Sequence, residues 1–327
     1  MQYFWAMKLV TFLDSRNNEK VGILSGGQVI DALNAFEALK LSGPKPQDML
    51  IVIREQDSLL PSLRKILQAH SEGRITGVDE KSLRLISPVP HPLSMRDGYA
   101  FRQHVEAARR NRGVPMIPEF DHFPVFYFTN HLAVTGPGEV AVQKLAREKL
   151  DFELEVAIVV GREGRNIPAA KADEHIFGYM VMNDWSARAL QMEEMKLNLG
   201  PAKGKDFATS LGPYLVTRDE LAKVAIAGPQ GERHDLGMKA FVNGKQVSAG
   251  NLKDISWTFA QILERASYGV TLFPGEVIGS GTVGTGCFLE LNGSKITDNQ
   301  WLNPGDLVVM EVDQLGKLEN TIVAAHD

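Results

Sequence analysis

The stretch that most constrains this chain is 151–161, where Asp151-Phe152-Glu153-Leu154-Glu155 runs on into Val156-Ala157-Ile158-Val159-Val160-Gly161. Its second half is an unbroken apolar run and reads as a buried β-strand. Its first half alternates, and alternation in a strand places Glu153 and Glu155 on one face. Two like charges leading into an apolar strand cost stability unless something neutralises them. A divalent cation is the simplest such agent. The alternative is a solvated strand end, and the rest of the sequence decides between them.

At 327 residues the chain is long enough for one large domain and a small one. No apolar run reaches the roughly 18 residues of a membrane span. The opening residues, 1–7, lack the basic region and long apolar core of a secretory leader, and Met7 offers an alternative start just before the strand-like 8–13. A single cysteine, Cys287, excludes an intramolecular disulfide framework and a Cys-rich zinc site. Together these features point to the cytoplasm. The formal net charge is -5 and there is no long basic run, which argues against nucleic acid as a partner. Arg109, Arg110 and Arg112 form a solvated helix face or a small-anion site.

Residues 8–24 read as a hairpin about the polar turn Asp14-Ser15-Arg16-Asn17-Asn18. Residues 30–40 and 57–71 have helical spacing, and 83–86 reads as a strand. Ser87-Pro88-Val89-Pro90-His91-Pro92 favours an extended connector, so a boundary is expected near residue 90, dividing 1–90 from 91–327. Beyond it strands dominate, at 124–128, 138–143, 151–161, 176–183, 212–217, 237–243, 276–280, 287–292, 306–312 and 319–324. Helices are expected at 99–112, 185–196 and 255–267. There are no heptads, low-complexity tracts or repeats of 20–50 residues. The pattern is that of an α+β, β-rich protein with a closed or rolled sheet.

Four acids invite a joint reading. Asp97 stands just before the 99–112 helix, where it can serve as N-cap. His104, seven residues on, then falls on the same helix face. Asp184 closes the apolar strand 177–183 and can cap the next helix, yet an acid at a strand end also suits a ligand shell. With Glu153 and Glu155 these make a possible all-oxygen site, which suits Mg²⁺, Ca²⁺ or Mn²⁺ rather than zinc. Arg188 and Gln191 are three apart and share a face of the helix after Asp184. Lys205, on the glycine turn Gly200-Pro201-Ala202-Lys203-Gly204-Lys205, lacks phosphate-loop spacing but can meet a developing oxyanion. The glycine-rich 279–286 permits close approach to a ligand, with Thr282 supplying a hydroxyl. Glu290, read within a strand, faces opposite to Leu289 and Leu291. If buried it needs a partner, and His104 is the attractive one.

Taken together, the blocks Asp151-Phe152-Glu153-Leu154-Glu155, Asn183-Asp184-Trp185-Ser186-Ala187-Arg188 with Gln191, Gly204-Lys205-Asp206-Phe207 with Thr209, and Gly281-Thr282 resemble the fumarylacetoacetate hydrolase family over about residues 95–325. That resemblance implies a rolled mixed β-sheet behind a small N-terminal α/β domain, a homodimer, and a divalent metal, Mg²⁺ first, held by Asp97, Glu153, Glu155 and Asp184. Within the family, Arg96-Asp97-Gly98-Tyr99-Ala100-Phe101-Arg102-Gln103-His104 resembles the fumarylacetoacetase block. This implies His104 as catalytic base, Glu290 as its orienting acid, and Tyr99 and Tyr127 as substrate contacts. Met195 departs from the pattern, standing in place of a further tyrosine, and the N-terminal region is shorter than expected.

The function implied is a metal-dependent hydrolase that cleaves a carbon–carbon bond in a β-diketone or 2,4-dioxo acid, with a small keto acid as its partner molecule. Lys205, Arg188 and Gln191 would stabilise the oxyanion. Family membership alone does not fix the reaction. An oxaloacetate-type decarboxylase or a tautomerase would use the same metal and lysine without the His104–Glu290 pair. A non-catalytic protein of the same fold is a third reading, against which the retained acids, His and Lys argue.

Overall fold

The computed structural model describes residues 7–325. Residues 1–6, on which the reading of the chain start rests, lie outside the described residues. No helix among the described residues is long and apolar enough to cross a membrane.

The architecture is mixed α/β and strand-rich, built on an open sheet of twelve strands among the described residues. Its main path runs Val78–Asp79, Gln28–Asp31, Glu19–Ser25, Lys8–Leu13, Thr209–Thr217, Ile176–Asp184, Leu154–Val160, Val277–Gly279, Met95–Gly98, Phe126–Phe128. Neighbours along this path are antiparallel, except that Val277–Gly279 and Met95–Gly98 run parallel. A second sheet of five strands has the order Lys245–Asn251, Gly237–Val242, Leu307–Val312, Gly316–Ala324, Gly138–Val142.

The strand Leu154–Val160 lies inside the large sheet and is buried along its whole length, which is why its sequence is continuously apolar from Val156 on. Leu154, Val156, Ile158 and Val160 share one core with Met238, Val308, Met310, Leu318 and Ile322 of the second sheet. Ala157 and Val159 point the other way, into a core with Leu9, Ile23, Leu59, Leu63 and Ile66. That second core also takes Met95, Met180, Met182 and Val277 from the neighbouring strands. The helix Gln56–Ser71 supplies the Leu59–Leu63–Ile66 stripe expected from its spacing. The chain thus crosses the connector at residues 87–92 with its strand pairing intact: Lys8 and Leu9 pair with Val216 and Leu215.

The 8–24 hairpin forms as expected. Asp14 Oδ1 accepts from the backbone N–H groups of Arg16 (2.8 Å) and Asn18 (2.9 Å), and Asn17 takes a left-handed φ of 61°. Two elements have no signal in the periodicity. Helix Met49–Arg54 has only six residues and is nucleated by Asp48, whose side chain caps Ile51 N–H. Strand Lys245–Asn251 lies at a sheet edge and is largely polar.

Four local expectations are overturned. The 287–292 segment is not a strand but a short helix, Phe288–Gly293. Its first N–H groups, from Phe288 (2.7 Å) and Leu289 (2.9 Å), are satisfied by the buried carboxylate of Asp151, a long-range contact that no local pattern shows. Glu290 therefore faces inward with Phe288 and Leu291 instead of opposing its neighbours. Asp97 is not a helix cap: it lies in the strand Met95–Gly98, and the helix Arg102–Asn111 starts after Phe101. Asp184 is likewise the last residue of its strand, because Ser186–Ala187 first pairs with Leu150–Asp151 before the helix Arg188–Glu194 begins. The strand expected over 151–161 breaks at Phe152 and Glu153.

One buried base makes the fold sensitive to acid. His234 is 2% exposed, its Nε2 has no hydrogen-bond partner among the described residues, and its ring centroid lies 4.8 Å from that of Tyr179. Burial pushes its pKa down to about 4, against the pull of Glu232. A base with a depressed folded value takes its proton more readily when unfolded, so stability is lost as pH falls from about 6.5 towards 4. Relative to His234→Phe, the wild type should lose about 3 kcal/mol over that window, measured by denaturant unfolding. Parallel curves for the two proteins across that window would rule this out.

Candidate active site

The four acids gather at one end of one sheet face. Met95 and Asp97 share a face of their strand, as do Glu155 and Ala157, and Met180, Met182 and Asp184. In register, Glu155 stands opposite Met182, while Asp97 stands opposite Gly279, itself paired with Ala157. The apolar members of these rows enter the core with the N-terminal strands and helices; the acids continue the same rows. Glu153 joins from the break before Leu154, held by its backbone N–H to Asn183 Oδ1 at 3.0 Å. One ligand atom from each of Asp97, Glu153, Glu155 and Asp184 lies within 4.8 Å of the others, and all four residues are buried.

Glycine is required where the backbone closes on this cluster. A Cβ at Gly279 would stand 2.4 Å from Asp97 Oδ1, and one at Gly281 would stand 2.7 Å from the Gly98 carbonyl oxygen. Gly281 also has a φ of +76°. Its N–H donates to both Asp97 Oδ1 (3.1 Å) and Glu155 Oε2 (3.0 Å). Thr282 Oγ1 is 3.5 Å from Glu155 Oε1, so its hydroxyl faces the acid cluster.

Two cations sit among the acids. Lys205 Nζ donates to Glu153 Oε2 (2.5 Å) and Asp184 Oδ2 (2.7 Å). Arg188 forks between Asp151 Oδ2 (2.9 Å from Nε) and Glu153 Oε1 (2.7 Å from Nη2), and its Nη1 holds Gln191 Oε1 at 2.9 Å. The shared helix face of Arg188 and Gln191 is thus realised. Gly204 allows this packing, since a Cβ there would meet the Gln191 backbone at 2.8 Å. Asp151 carries no role in the sequence reading. The structure makes it a buried hub, linking Arg188 to the first turn of Phe288–Gly293.

The electrostatics divide the acids. Burial raises Glu153, but Lys205 and Arg188 outweigh it and draw its carboxyl down to about 2. Burial and the charge of Asp184 push Asp97 up to about 8. Glu155 is pushed well above the carboxylate range by burial and by Asp97 beside it. Asp184 Oδ1 is buried without a hydrogen-bond partner among the described residues. Four carboxylates, one orphaned oxygen and acids held short of ionisation fit a hard divalent cation.

His104 and Glu290 meet across 186 residues of sequence, with His104 Nδ1 2.6 Å from Glu290 Oε2. The other oxygen, Oε1, accepts the Thr285 N–H at 2.9 Å. Both residues are buried. Tyr99 packs edge-on against the His104 ring, centroids 5.8 Å apart. Tyr127 donates its hydroxyl to Asp184 Oδ2. Arg109 and Arg112 turn back to the carbonyls of Pro115 (2.8 Å) and Ala108 (3.0 Å), and Met195 is half exposed on the turn Met195–Leu197.

A carboxyl raised on folding contributes stability at pH below its ordinary value of 3.8 and loses that contribution as pH rises through about 8. Chelator-treated wild type should therefore lose melting temperature relative to Asp97→Asn between pH 5 and 8, and Mn²⁺ at pH 8 should restore it in the wild type. A gap between the two proteins that is independent of pH, with no response to Mn²⁺, would exclude this account.

Residues 94–323 match the family model described as fumarylacetoacetate (FAA) hydrolase C-terminal. Over 323 residues the chain is 28% identical to oxaloacetate tautomerase fahd2, mitochondrial, of Xenopus laevis, covering 97% of this chain and 91% of that one. It is 27% identical over 323 residues to maleylpyruvate hydrolase of Aquipseudomonas alcaligenes, covering 95% and 98%. With fumarylacetoacetase of Bos taurus it shares 31% identity over 268 residues, 65% of this chain and 64% of that one. The fold matches the crystal structure of maleylpyruvate hydrolase from Sphingobium sp. SYK-6 in complex with manganese(II) ion and pyruvate, with a TM-score of 0.69 at 21% identity, covering 98% of this chain and 100% of that one. With most of its length matched by that model, this chain belongs to the fumarylacetoacetate hydrolase family.

Proposed function

We propose that this protein is a metal-dependent hydrolase that cleaves a carbon–carbon bond in a β-diketone or 2,4-dioxo acid. The observation that carries the reading is the buried His104–Glu290 contact of 2.6 Å beside the four-carboxylate cluster. A divalent cation, Mg²⁺ or Mn²⁺, held by Asp97, Glu153, Glu155 and Asp184 would supply Lewis-acid polarisation of a carbonyl oxygen. The family match beginning at residue 94 also supports division of the chain into a supporting segment, 1–90, and a catalytic one, 91–327.

Glu290 accepts from His104 Nδ1–H and fixes the tautomer whose Nε2 carries the lone pair. His104 Nε2 takes a proton from water, and the oxygen attacks the distal carbonyl carbon. The carbon–carbon bond then breaks, its electron pair passing to the leaving keto-acid carbon, which regains a proton. Lys205 and Arg188 are engaged with acids in the free protein. A cation on the acids would compete for the carboxylates that now hold Lys205, which would leave a Lys205 N–H for the developing oxyanion, while Arg188 holds Gln191. Tyr99 packs edge-on against the His104 ring and also meets Phe120 edge-on, with centroids 6.5 Å apart.

A second reading, an oxaloacetate tautomerase, is favoured by the near full-length similarity to the enzyme of that name from Xenopus laevis. It needs no activated water. The two separate on one experiment, in which several 2,4-dioxo acids and oxaloacetate are assayed with Mg²⁺ or Mn²⁺. His104→Ala should lower hydrolysis by roughly two to four orders of magnitude while leaving metal binding largely intact. Undiminished oxaloacetate tautomerisation in that variant, with no hydrolysis by the wild type, would establish the second reading instead. Glu153→Ala should abolish metal-dependent turnover of either kind, and full activity after chelation would remove the metal from both.

A further inference from the structure

Glu153 belongs to two convergent donor sets. Besides the carboxylate cluster, it stands with His104 and Cys287, and one ligand atom from each of these three buried residues lies within 4.8 Å of the others. We propose that His104, Glu153 and Cys287 form a second cation site, one that takes a thiophilic divalent ion such as Zn²⁺ and silences the His104 base when filled.

The donor chemistry separates this site from the first. Four carboxylates suit a hard ion, whereas an imidazole nitrogen, a thiolate and one carboxylate suit zinc. Three protein ligands with a fourth position left open is also the usual form of an accessible zinc site. Zinc bonds of about 2.0–2.3 Å bring ligand atoms roughly 3–4 Å apart, so small side-chain rotations seat these three on one ion. The outer contacts are already in place. A zinc-bound histidine commonly donates its other ring N–H to a carboxylate, and His104 Nδ1 does this to Glu290 at 2.6 Å, which presents Nε2 as the ligand. Glu153 is oriented by Arg188 at 2.7 Å. Cys287 is fully buried and immediately precedes the helix that carries Glu290.

Filling the site releases the Cys287 thiol proton to solvent as the sulfur–zinc bond forms. It also occupies the lone pair that would accept a proton from water. Glu153 is common to both sites, so a hard ion and a soft one compete for it. Burial holds the empty thiol protonated, and Lys205 and Arg188 both engage Glu153, so the soft ion enters against both and the site discriminates by thiophilicity rather than by charge. The inhibitory half of the proposal rests on His104 being the base; the binding half does not.

Cobalt(II) reports the binding directly, because thiolate–cobalt charge-transfer absorption needs sulfur coordination and Cys287 is the only cysteine in the chain. Titrating Co²⁺ into the full chain with Mg²⁺ present should produce that absorption together with tetrahedral d–d bands, and Zn²⁺ should displace both. Absence of the charge-transfer band, with the protein folded, overturns the site irrespective of any activity. Zn²⁺ should then lower 2,4-dioxo acid hydrolysis roughly tenfold or more at concentrations that leave Cys287→Ser at its own zinc-free rate with Mg²⁺ present. Equal inhibition of both proteins overturns the proposal. If the band appears but no 2,4-dioxo acid is hydrolysed even without Zn²⁺, the site stands and the hydrolase reading fails.

Discussion

Everything around the site depends on keeping four carboxylates together at the end of a sheet face that otherwise carries core residues. Asp97, Glu155 and Asp184 continue rows whose other members are Met95, Ala157, Met180 and Met182, and Glu153 joins them from a strand break. Such a group cannot all ionise in a buried setting. Two devices resolve this in the protein alone. Lys205 and Arg188 bring positive charge to Glu153, while Asp97 and Glu155 are held towards their neutral forms. Both devices leave Asp184 Oδ1 without a partner, which is a reason to expect a cation there.

The proposed base is built from different materials. His104 comes from the helix Arg102–Asn111, and Glu290 from the short helix Phe288–Gly293. These meet because Asp151 accepts the first N–H groups of the short helix with the same carboxylate that receives Arg188. Asp151 therefore couples the cationic side of the cluster to the His104–Glu290 pair through one buried residue. Thr285 completes the arrangement by donating its N–H to the Glu290 oxygen that His104 does not use. An orienting carboxylate with both oxygens engaged has little freedom to turn away from the imidazole.

This chain is similar in sequence both to a relative named for hydrolysis and to one named for oxaloacetate tautomerisation. In the proposed function the acids form a platform for an enolisable keto acid. In that proposal the course of the reaction turns on the base beside the acids, the His104–Glu290 pair joined at 2.6 Å. The same imidazole, with Cys287 and Glu153, also gives the platform a softer neighbour.

Much of the site was legible in the sequence, because its residues fall into short blocks whose local pattern survives without the fold. The alternation of Glu153 and Glu155, the strand-terminal Asp184, the Arg188–Gln191 spacing and the glycine at 281 all belong to that class. The long central strand was legible for the same reason, since burial on both faces leaves a continuous apolar run. Contacts between distant segments were not. The sequence could not show that Asp151 nucleates the Phe288–Gly293 helix and so reads as a strand in 287–292, that Asp97 lies in a strand rather than at a helix cap, or that Lys8–Leu13 enters the same sheet as the acids. Those outcomes depend on long-range hydrogen bonds and strand register. The sequence by itself determined which residues were available to hold a metal and to act as a base. Only the tertiary structure decided that one sheet face would gather the acids, and that a buried carboxylate would bring His104 and Glu290 within a hydrogen bond of each other.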